Sequence, residues 1–266
     1  MAADSYIIRG GAPGRERLRL LSRVMRPTTL ELFDRIGLQP HWTCLDAGCG
    51  GGDVSCDLAR LLGENSHVVG MDVDAEKLEL AQTEARQEGL DNVEFRLHDF
   101  SREGGPADFD FVYARFVLSH LQHPVEALRQ MRKFLKPGAL LAAEDTDFRA
   151  HFCHPPHPAH ETYVRLFRAT ARQRGANPDI GAELPGLLRE AGFTDIQVRI
   201  VQPCGITGEV KQLSPLTLEN IAASIVDAGL ADVQEINNIL AQLYEVARDD
   251  STFMSIPRVV QVWARN

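Results

Sequence analysis

The chain has 266 residues, 44% of them hydrophobic and 24% charged, the balance of an ordinary globular protein with enough length for a full α/β core. Its 28 basic and 37 acidic residues leave a net charge of −9, so DNA is not an expected partner. No apolar run approaches the ~18 residues of a membrane span. The five cysteines (44, 49, 56, 153 and 204) include no C-x-x-C pair. That argues against a disulfide framework or zinc ribbon and fits a reduced cytoplasm. The N-terminus lacks the basic-then-apolar order of a secretory signal, so a cytoplasmic location is expected.

The N-terminal segment is basic: six arginines against Asp4 and Glu16 in the first 26 residues. Arg15, Arg19, Arg23 and Arg26 share one helical face, and Leu18, Leu21 and Met25 another. This spacing predicts an amphipathic surface helix, with a basic arm for RNA or an anionic substrate as the alternative. From residue 43 the chain alternates strands, turns and helices. Thr43 to Asp46 reads as a strand, Val54 to Leu62 as a helix, and Val68 to Asp72 as a buried strand. Asp74 can cap a helix running to about Glu88, where Gly89 ends it. Val93, Phe95 and Leu97 alternate with polar residues as a half-buried strand. Phe109 to Ala114 is a fourth strand, Pro124 opens a helix to Leu135, Lys136-Pro137-Gly138 is a turn, and Ala139 to Ala143 is a fifth strand.

The tail is less regular. A stretch rich in Pro and His precedes a helix near Glu161 to Arg174, and another helix ends at Ala191-Gly192. Ile196, Val198 and Ile200 alternate as a sixth strand. Residues 214 to 247 read as helical, with Ser214-Pro215 as a start and Asp232-Val233-Gln234-Glu235 spaced as a capping box. Val259 to Trp263 closes the series. Alternating strands and helices predict a parallel sheet covered on both faces, with every post-strand loop on one edge.

Chemistry-bearing residues gather on that edge. The LDAGCGGG run at 45–52 sets Gly48, Gly50 and Gly52 between a strand and a helix, where glycine permits positive φ and close approach of a ligand. The dinucleotide fingerprint is nearly matched, but Asp53 stands in place of its third glycine, and a carboxylate there would repel a pyrophosphate. Asp72, ending the second strand, can accept the two hydroxyls of a ribose, which suits a nicotinamide cofactor and S-adenosylmethionine alike. Asp99, after the third strand, suits the exocyclic amine of adenine, and Phe100 could lie against the ring. Three acids at successive strand ends suit a cationic, phosphate-free cofactor.

LDAGCGGGD (45–53), VVGMDVD (68–74), FRLHDF (95–100), FDFVYARFVLSHL (109–121) and LKPGALL (135–141) resemble the class I S-adenosylmethionine-dependent methyltransferases. The likeness is strongest to the small-molecule group that includes the ubiquinone and menaquinone biosynthesis type. It covers roughly residues 41 to 146 and bears on fold and cofactor far more than on acceptor. It implies an α/β, Rossmann-like, doubly wound seven-stranded sheet, mostly parallel with an antiparallel last strand, plus helical lid insertions. One domain is expected over 1–266, with an N-terminal lid over 1–40, a cofactor core over 41–146, and acceptor-side helices and closing strands over 147–266. The resemblance further implies that the loop from Gly48 through Cys49 and Gly50 to Gly52 faces the methionine part of the cofactor. Asp46 would organise its amino group and Asp72 its ribose, while Val73, Asp99 and Phe100 frame adenine. Ala114 and Arg115 would approach the methionine end.

The implied reaction is in-line methyl transfer to a small molecule, leaving S-adenosylhomocysteine. Alternatives on the same motifs are an S-adenosylmethionine-binding protein without methyl transfer (structural, regulatory or cyclase-like) and an RNA or protein methyltransferase. Holding two reactants in line supplies much of such an acceleration, and a base is needed only for a protonated acceptor. His120, Glu144, Asp145 and Tyr6 are the nearby candidates. His120 and Tyr6 are the expected catalytic pair by resemblance, against plainer roles in capping a helix and covering the cofactor. Phe148, Phe152, Phe167, Ile221, Ile225, Phe253 and Met254 suggest a hydrophobic or aromatic acceptor, or simple packing. His151, His154, His157 and His160, with Cys153, have metal-ligand chemistry, but Pro155, Pro156 and Pro158 break the helix that would align them. No metal is expected, and the oligomeric state stays open, a homodimer included.

Overall fold

The computed structural model describes residues 11–99 and 102–266. The helix α1 (Gly11–Ile36) leads into β1 (Thr43–Ala47), α2 (Asp53–Leu62), β2 (His67–Asp72), α3 (Ala75–Gln87) and β3 (Val93–Leu97). There follow β4 (Phe109–Arg115), a 3-10 turn (Leu118–His120), α4 (Pro124–Phe134) and β5 (Leu135–Asp147). The tail holds β6 (Cys153–His154), α5 (Pro158–Gln173), α6 (Leu184–Glu190), β7 (Thr194–Val201), β8 (Cys204–Gly205), α7 (Glu209–Asp227), α8 (Val233–Arg248), β9 (Phe253–Ser255) and β10 (Arg258–Arg265). The chain divides into two compact units. Of the described residues, one comprises those within 28–145, 181–199 and 260–266, and the other those within 11–27, 146–180 and 200–259.

The first of these is the sheet unit. Its seven strands run β3-β2-β1-β4-β5-β10-β7, mostly parallel with one antiparallel strand. The β1–β2, β2–β3, β1–β4 and β4–β5 pairs are parallel. Chain order therefore reverses between β1 and β4, the switch point at which open α/β sheets bind ligands. Register sets Asp46 beside Gly70 on one side and Tyr113 on the other, so the acids ending β1 and β2 share one edge. Behind that edge the core is packed by Leu32, Phe33, Leu58, Val68, Phe111 and Tyr113. Phe33 meets Phe111 and Tyr113 edge-on, at ring-centroid distances of 5.9 and 5.0 Å, geometries that ring quadrupoles favour.

Local chemistry fixes the element ends. The carboxylate of Asp74 accepts the Lys77 backbone N–H at 3.2 Å and starts α3, as its sequence predicts. The expected turn at Lys136–Gly138 lies inside β5, as an irregularity between the pairs Phe109–Leu135 and Phe111–Leu140. Gly138, at φ +75°, lets the strand absorb the extra residues. Alternation in β3 fails at its end, where Leu97 is 64% exposed. The apolar row of β7 is also open at Val198 and Ile200, because β7 is a sheet edge.

The second unit is helical. Phe148, Tyr163, Leu166, Phe167, Leu218, Ile221, Ile225, Ile236 and Leu243 form its core across α5, α7 and α8. Beside them sits a small antiparallel sheet, β6-β9-β8, which the sequence does not signal because two of its strands are two residues long. The capping box forms at α8: Glu235 N–H donates to Asp232 Oδ1, and Asp232 N–H to Glu235 Oε2, both at 2.8 Å. By contrast α7 begins at Glu209, not at Ser214-Pro215, and carries Pro215 inside. The α5 helix begins at Pro158, with His157 Nδ1 accepting the Ala159 N–H at 3.2 Å.

Buried polar groups clamp this unit. The fully buried Lys211 donates from Nζ to the carbonyls of Ile206 (2.9 Å), Asp249 (2.6 Å) and Thr252 (3.2 Å). Asp147, also fully buried, binds Arg149 bidentately at 2.7 and 3.0 Å and accepts from Arg258. Burial alone would raise its carboxyl pKa, but these hydrogen bonds hold it at about 2, as charge-assisted pairing does. Along α1, Arg19, Arg23 and Arg26 are exposed as expected. Arg17 is instead buried, with its Nε donating to Thr217 Oγ1 at 2.9 Å, and Arg23 is paired with Glu209 at 2.6 Å.

Candidate functional site

The loop after β1 turns back through three left-handed glycines, Gly48, Gly50 and Gly52, at φ +75°, +54° and +78°. The N–H groups of Gly48 and Cys49 donate to the Met71 carbonyl at 2.7 and 3.0 Å, tying the loop to the end of β2. The three glycines have different reasons to be glycine. A Cβ at Gly52 would stand 2.7 Å from the Phe95 ring and 2.9 Å from the Ala81 methyl, and one at Gly48 would meet Val117 at 2.5 Å. At Gly50 it would meet nothing within 4 Å, so that glycine serves only the φ requirement and leaves open space above the loop.

Asp72 locks the loop to the next turn. Its Oδ2 accepts the Gly50 N–H at 2.9 Å and its Oδ1 the Asp74 N–H at 3.0 Å. Each oxygen keeps acceptor capacity beyond the bond it makes, and the residue is half-buried. Asp46 lies behind it, 3% exposed, with Oδ2 accepting the Ser55 hydroxyl at 2.7 Å. Burial pushes the Asp46 carboxyl up to about 6, against the lowering influence of Ser55 and the Arg115 charge. Ser55, on α2, was not singled out from sequence. Its signal is a hydroxyl one turn into the helix that follows the glycine loop, where it can reach back to the strand-end acid. Cys49 is half-buried, and its thiol is raised well above its ordinary pKa by burial and by Asp46 and Asp72. That direction disfavours the thiolate, the nucleophilic form.

The other expected site residues are placed unevenly. Val73 is 49% exposed next to Asp72. Asp99 is half-buried and pairs with Arg102 Nε at 3.1 Å. Phe100 and Tyr6 lie outside the described residues. Ala114 is 1% exposed, backbone included. Arg115 is half-buried and donates from Nη1 to Thr29 Oγ1 at 3.3 Å. His120 ends the 3-10 turn after β4 and is half-buried. The N-cap position of α4 is held by His123.

Glu144 and Asp145, read as base candidates, are structural. Glu144 is fully buried and accepts from Thr29 at 2.9 Å, from Tyr113, and from Gln261 at 2.9 Å. Asp145 is 1% exposed and takes the Ser119 N–H at 2.9 Å, fixing the turn that carries His120. The apolar residues read as an acceptor pocket are mostly core. Phe148, Phe167, Ile221, Ile225 and Met254 are at most 6% exposed, and Phe148 stacks on Phe167 at 4.0 Å. Of the four tail histidines, His151 and His160 meet edge-on at 4.7 Å, while His157 caps α5. Among the described residues, no group of three or more His, Cys, Asp or Glu side chains could hold a metal ion, and no helix is long and apolar enough to cross a membrane.

A family model for a methyltransferase domain matches residues 38–191, a span that includes this loop and both of its acids. The chain belongs to this methyltransferase family. A phosphoethanolamine N-methyltransferase of Arabidopsis thaliana is 31% identical over 171 residues, covering 64% of this chain and 32% of that protein. A demethylmenaquinone methyltransferase of Listeria monocytogenes is 28% identical over 185 residues, covering 63% of this chain and 76% of that one. A solved phosphoethanolamine N-methyltransferase of Haemonchus contortus, in complex with phosphomonomethylethanolamine and S-adenosylhomocysteine, shares the fold. It is 16% identical at a TM-score of 0.56, covering 92% of this chain and 56% of that one. The chain thus spans about a third of the length of the plant relative it matches.

Proposed function

We propose that this chain is an S-adenosylmethionine-dependent methyltransferase that acts on a small molecule. The observation that carries this reading is the junction of Gly50 and Asp72. There a glycine loop and a ribose-type carboxylate are joined at the switch point of the sheet, with the second acid, Asp46, behind them. The donor set fits a cationic, phosphate-free ligand. When bound, S-adenosylmethionine supplies an electrophilic methyl on a sulfonium sulfur, and S-adenosylhomocysteine remains after transfer. In this reading the Gly48–Gly52 loop, with Cys49, accommodates the methionine part, and Asp46 orients the amino group. Asp72 accepts the ribose hydroxyls; Val73, Asp99 and Phe100 frame adenine; and Ala114 and Arg115 bound the methionine end. His120 is the group that takes a proton when the acceptor carries one, with Tyr6 as its expected catalytic partner from sequence.

Methyl transfer is distinguished from cofactor binding alone by acceptor-dependent formation of S-adenosylhomocysteine. A panel of amines, phenols and quinols incubated with S-adenosylmethionine should yield it with at least one class. Cofactor binding without product across the panel would favour a structural, regulatory or cyclase-like role. With the active acceptor, His120→Ala should lower kcat by about 100-fold, the usual scale of a lost general base. An unchanged kcat would remove His120 from the chemistry.

A further inference from the structure

A cleft of about 390 Å³ opens on α5 in the helical unit, lined by residues that include His151, His160, Glu161, Arg165, Arg168 and Arg172. The three arginines fall at i, i+3 and i+7 and so share one helix face. Asp179, 6% exposed, holds two of them: Arg168 Nη2 donates to its Oδ2 at 2.8 Å, and Arg172 donates to the same oxygen. Those guanidinium groups are thereby fixed in place, and one of the three positive charges is balanced. Arg165 is exposed, and its side chain makes no ion pair or hydrogen bond among the described residues. The remaining acid at the cleft, Glu161, is exposed and likewise makes no ion pair among the described residues. With both imidazoles neutral, three guanidinium groups against Asp179 and Glu161 leave the cleft positive.

The second observation lies deeper. His160 is 3% exposed, and its Nε2 is buried without a hydrogen-bond partner. Buried polar atoms are almost always paired, and an orphan at a cleft wall calls for a partner from outside the chain. Burial holds this imidazole neutral, with its pKa down at about 4, so at neutral pH it can present an N–H to an acceptor without carrying charge. Its His151 neighbour packs against it edge-on, which fixes the ring plane.

We propose that this cleft binds the oxyanion group of a small molecule, a carboxylate or a phosphate, through the Arg165 guanidinium and the His160 imidazole. Arg168 and Arg172 supply the surrounding positive field. The inference is independent of methyl transfer. It uses residues of one unit only and none of those placed around the cofactor.

The test is titration of the full chain with inorganic phosphate and, separately, with acetate, at constant ionic strength made up with chloride. Histidine-selective NMR follows the ring signals of His160, assigned by their absence in His160→Gln. A saturable shift with one or both anions is expected, and the tighter of the two names the class of ligand. Because Arg165 is exposed, Arg165→Gln leaves the fold intact. It should raise the apparent Kd by about tenfold, as expected for one charge-assisted hydrogen bond. No saturable shift at His160 with either anion, or an unchanged Kd in Arg165→Gln, would overturn the proposal.

Discussion

The two units bury charge for different ends. In the helical unit, Lys211 and Asp147 are fully buried, each with several bonds to groups of the same unit. They clamp carbonyls and arginines that link loops to helices. In the sheet unit, Asp72 also makes two hydrogen bonds, but both are to backbone N–H groups on a half-exposed loop. Its oxygens keep room for a ligand. The contrast separates polar residues that hold the fold from polar residues that hold the fold and await a partner. Type alone does not distinguish them, as Glu144 and Asp72 illustrate: both are acids at the C-terminal end of a strand.

The largest expected effect breaks a clamp. Lys211→Met leaves three carbonyls without their donor, at a cost of about 4 kcal/mol, seen as a large drop in Tm. A change within about 0.5 kcal/mol would show that the lysine is dispensable and that the contrast between the units is overdrawn.

The next effect sharpens the comparison through pH, since the two units respond with opposite signs. His160 titrates at about 4 in the folded chain against 6.5 in the unfolded one, so the unfolded state gains its proton first. The helical unit therefore loses stability as pH falls from 6.5 to 4, by up to about 3 kcal/mol. Asp46 titrates at about 6 against 3.8, so here the folded state gains its proton first. The sheet unit gains stability over the fall from 6 to 3.8, again by up to about 3 kcal/mol. Thermal unfolding across this range should show a shallower fall in His160→Gln, with the buried His151 carrying the remainder, and loss of the opposite slope in Asp46→Asn. Parallel slopes in both variants and in the parent would contradict the assignment.

The smallest effects separate the glycines. Gly52→Ala meets Phe95 and Ala81 as well as an unfavourable φ, and should cost about 2 kcal/mol. Gly50→Ala has open space and only the φ penalty, about 1 kcal/mol. Equal Tm shifts would mean that packing at Gly52 relaxes freely.

Most of the sheet unit was legible from sequence. Each strand from Thr43 to Ala143 announces itself by an apolar run, most of them with an acid at or near the end, and the helices by local signals such as the Asp74 cap or Pro124 at a first turn. These are short-range signals, and so is the Asp232–Glu235 capping box in the tail. The positions of the candidate site residues were legible for the same reason: Asp46, the glycines and Asp72 sit at element ends. What escaped depends on partners far away in the chain. The burial of Glu144 is fixed by Thr29 and Gln261, and nothing local distinguishes it from a free carboxylate. The start of α7 at Glu209 is tied to Lys211 reaching carbonyls at 249 and 252, so Ser214-Pro215 misleads. The apolar tail residues read equally as a pocket or as a core, and only the packing of Phe148 on Phe167 decides.

Calorimetric titration with S-adenosylmethionine tests the central claim most directly. The account predicts saturable one-site binding to the chain and at least about 100-fold weaker binding by Asp72→Ala, which loses the ribose acceptor and the anchor of Gly50. No binding by the unaltered chain, or tight binding of NADH in its place, would contradict it.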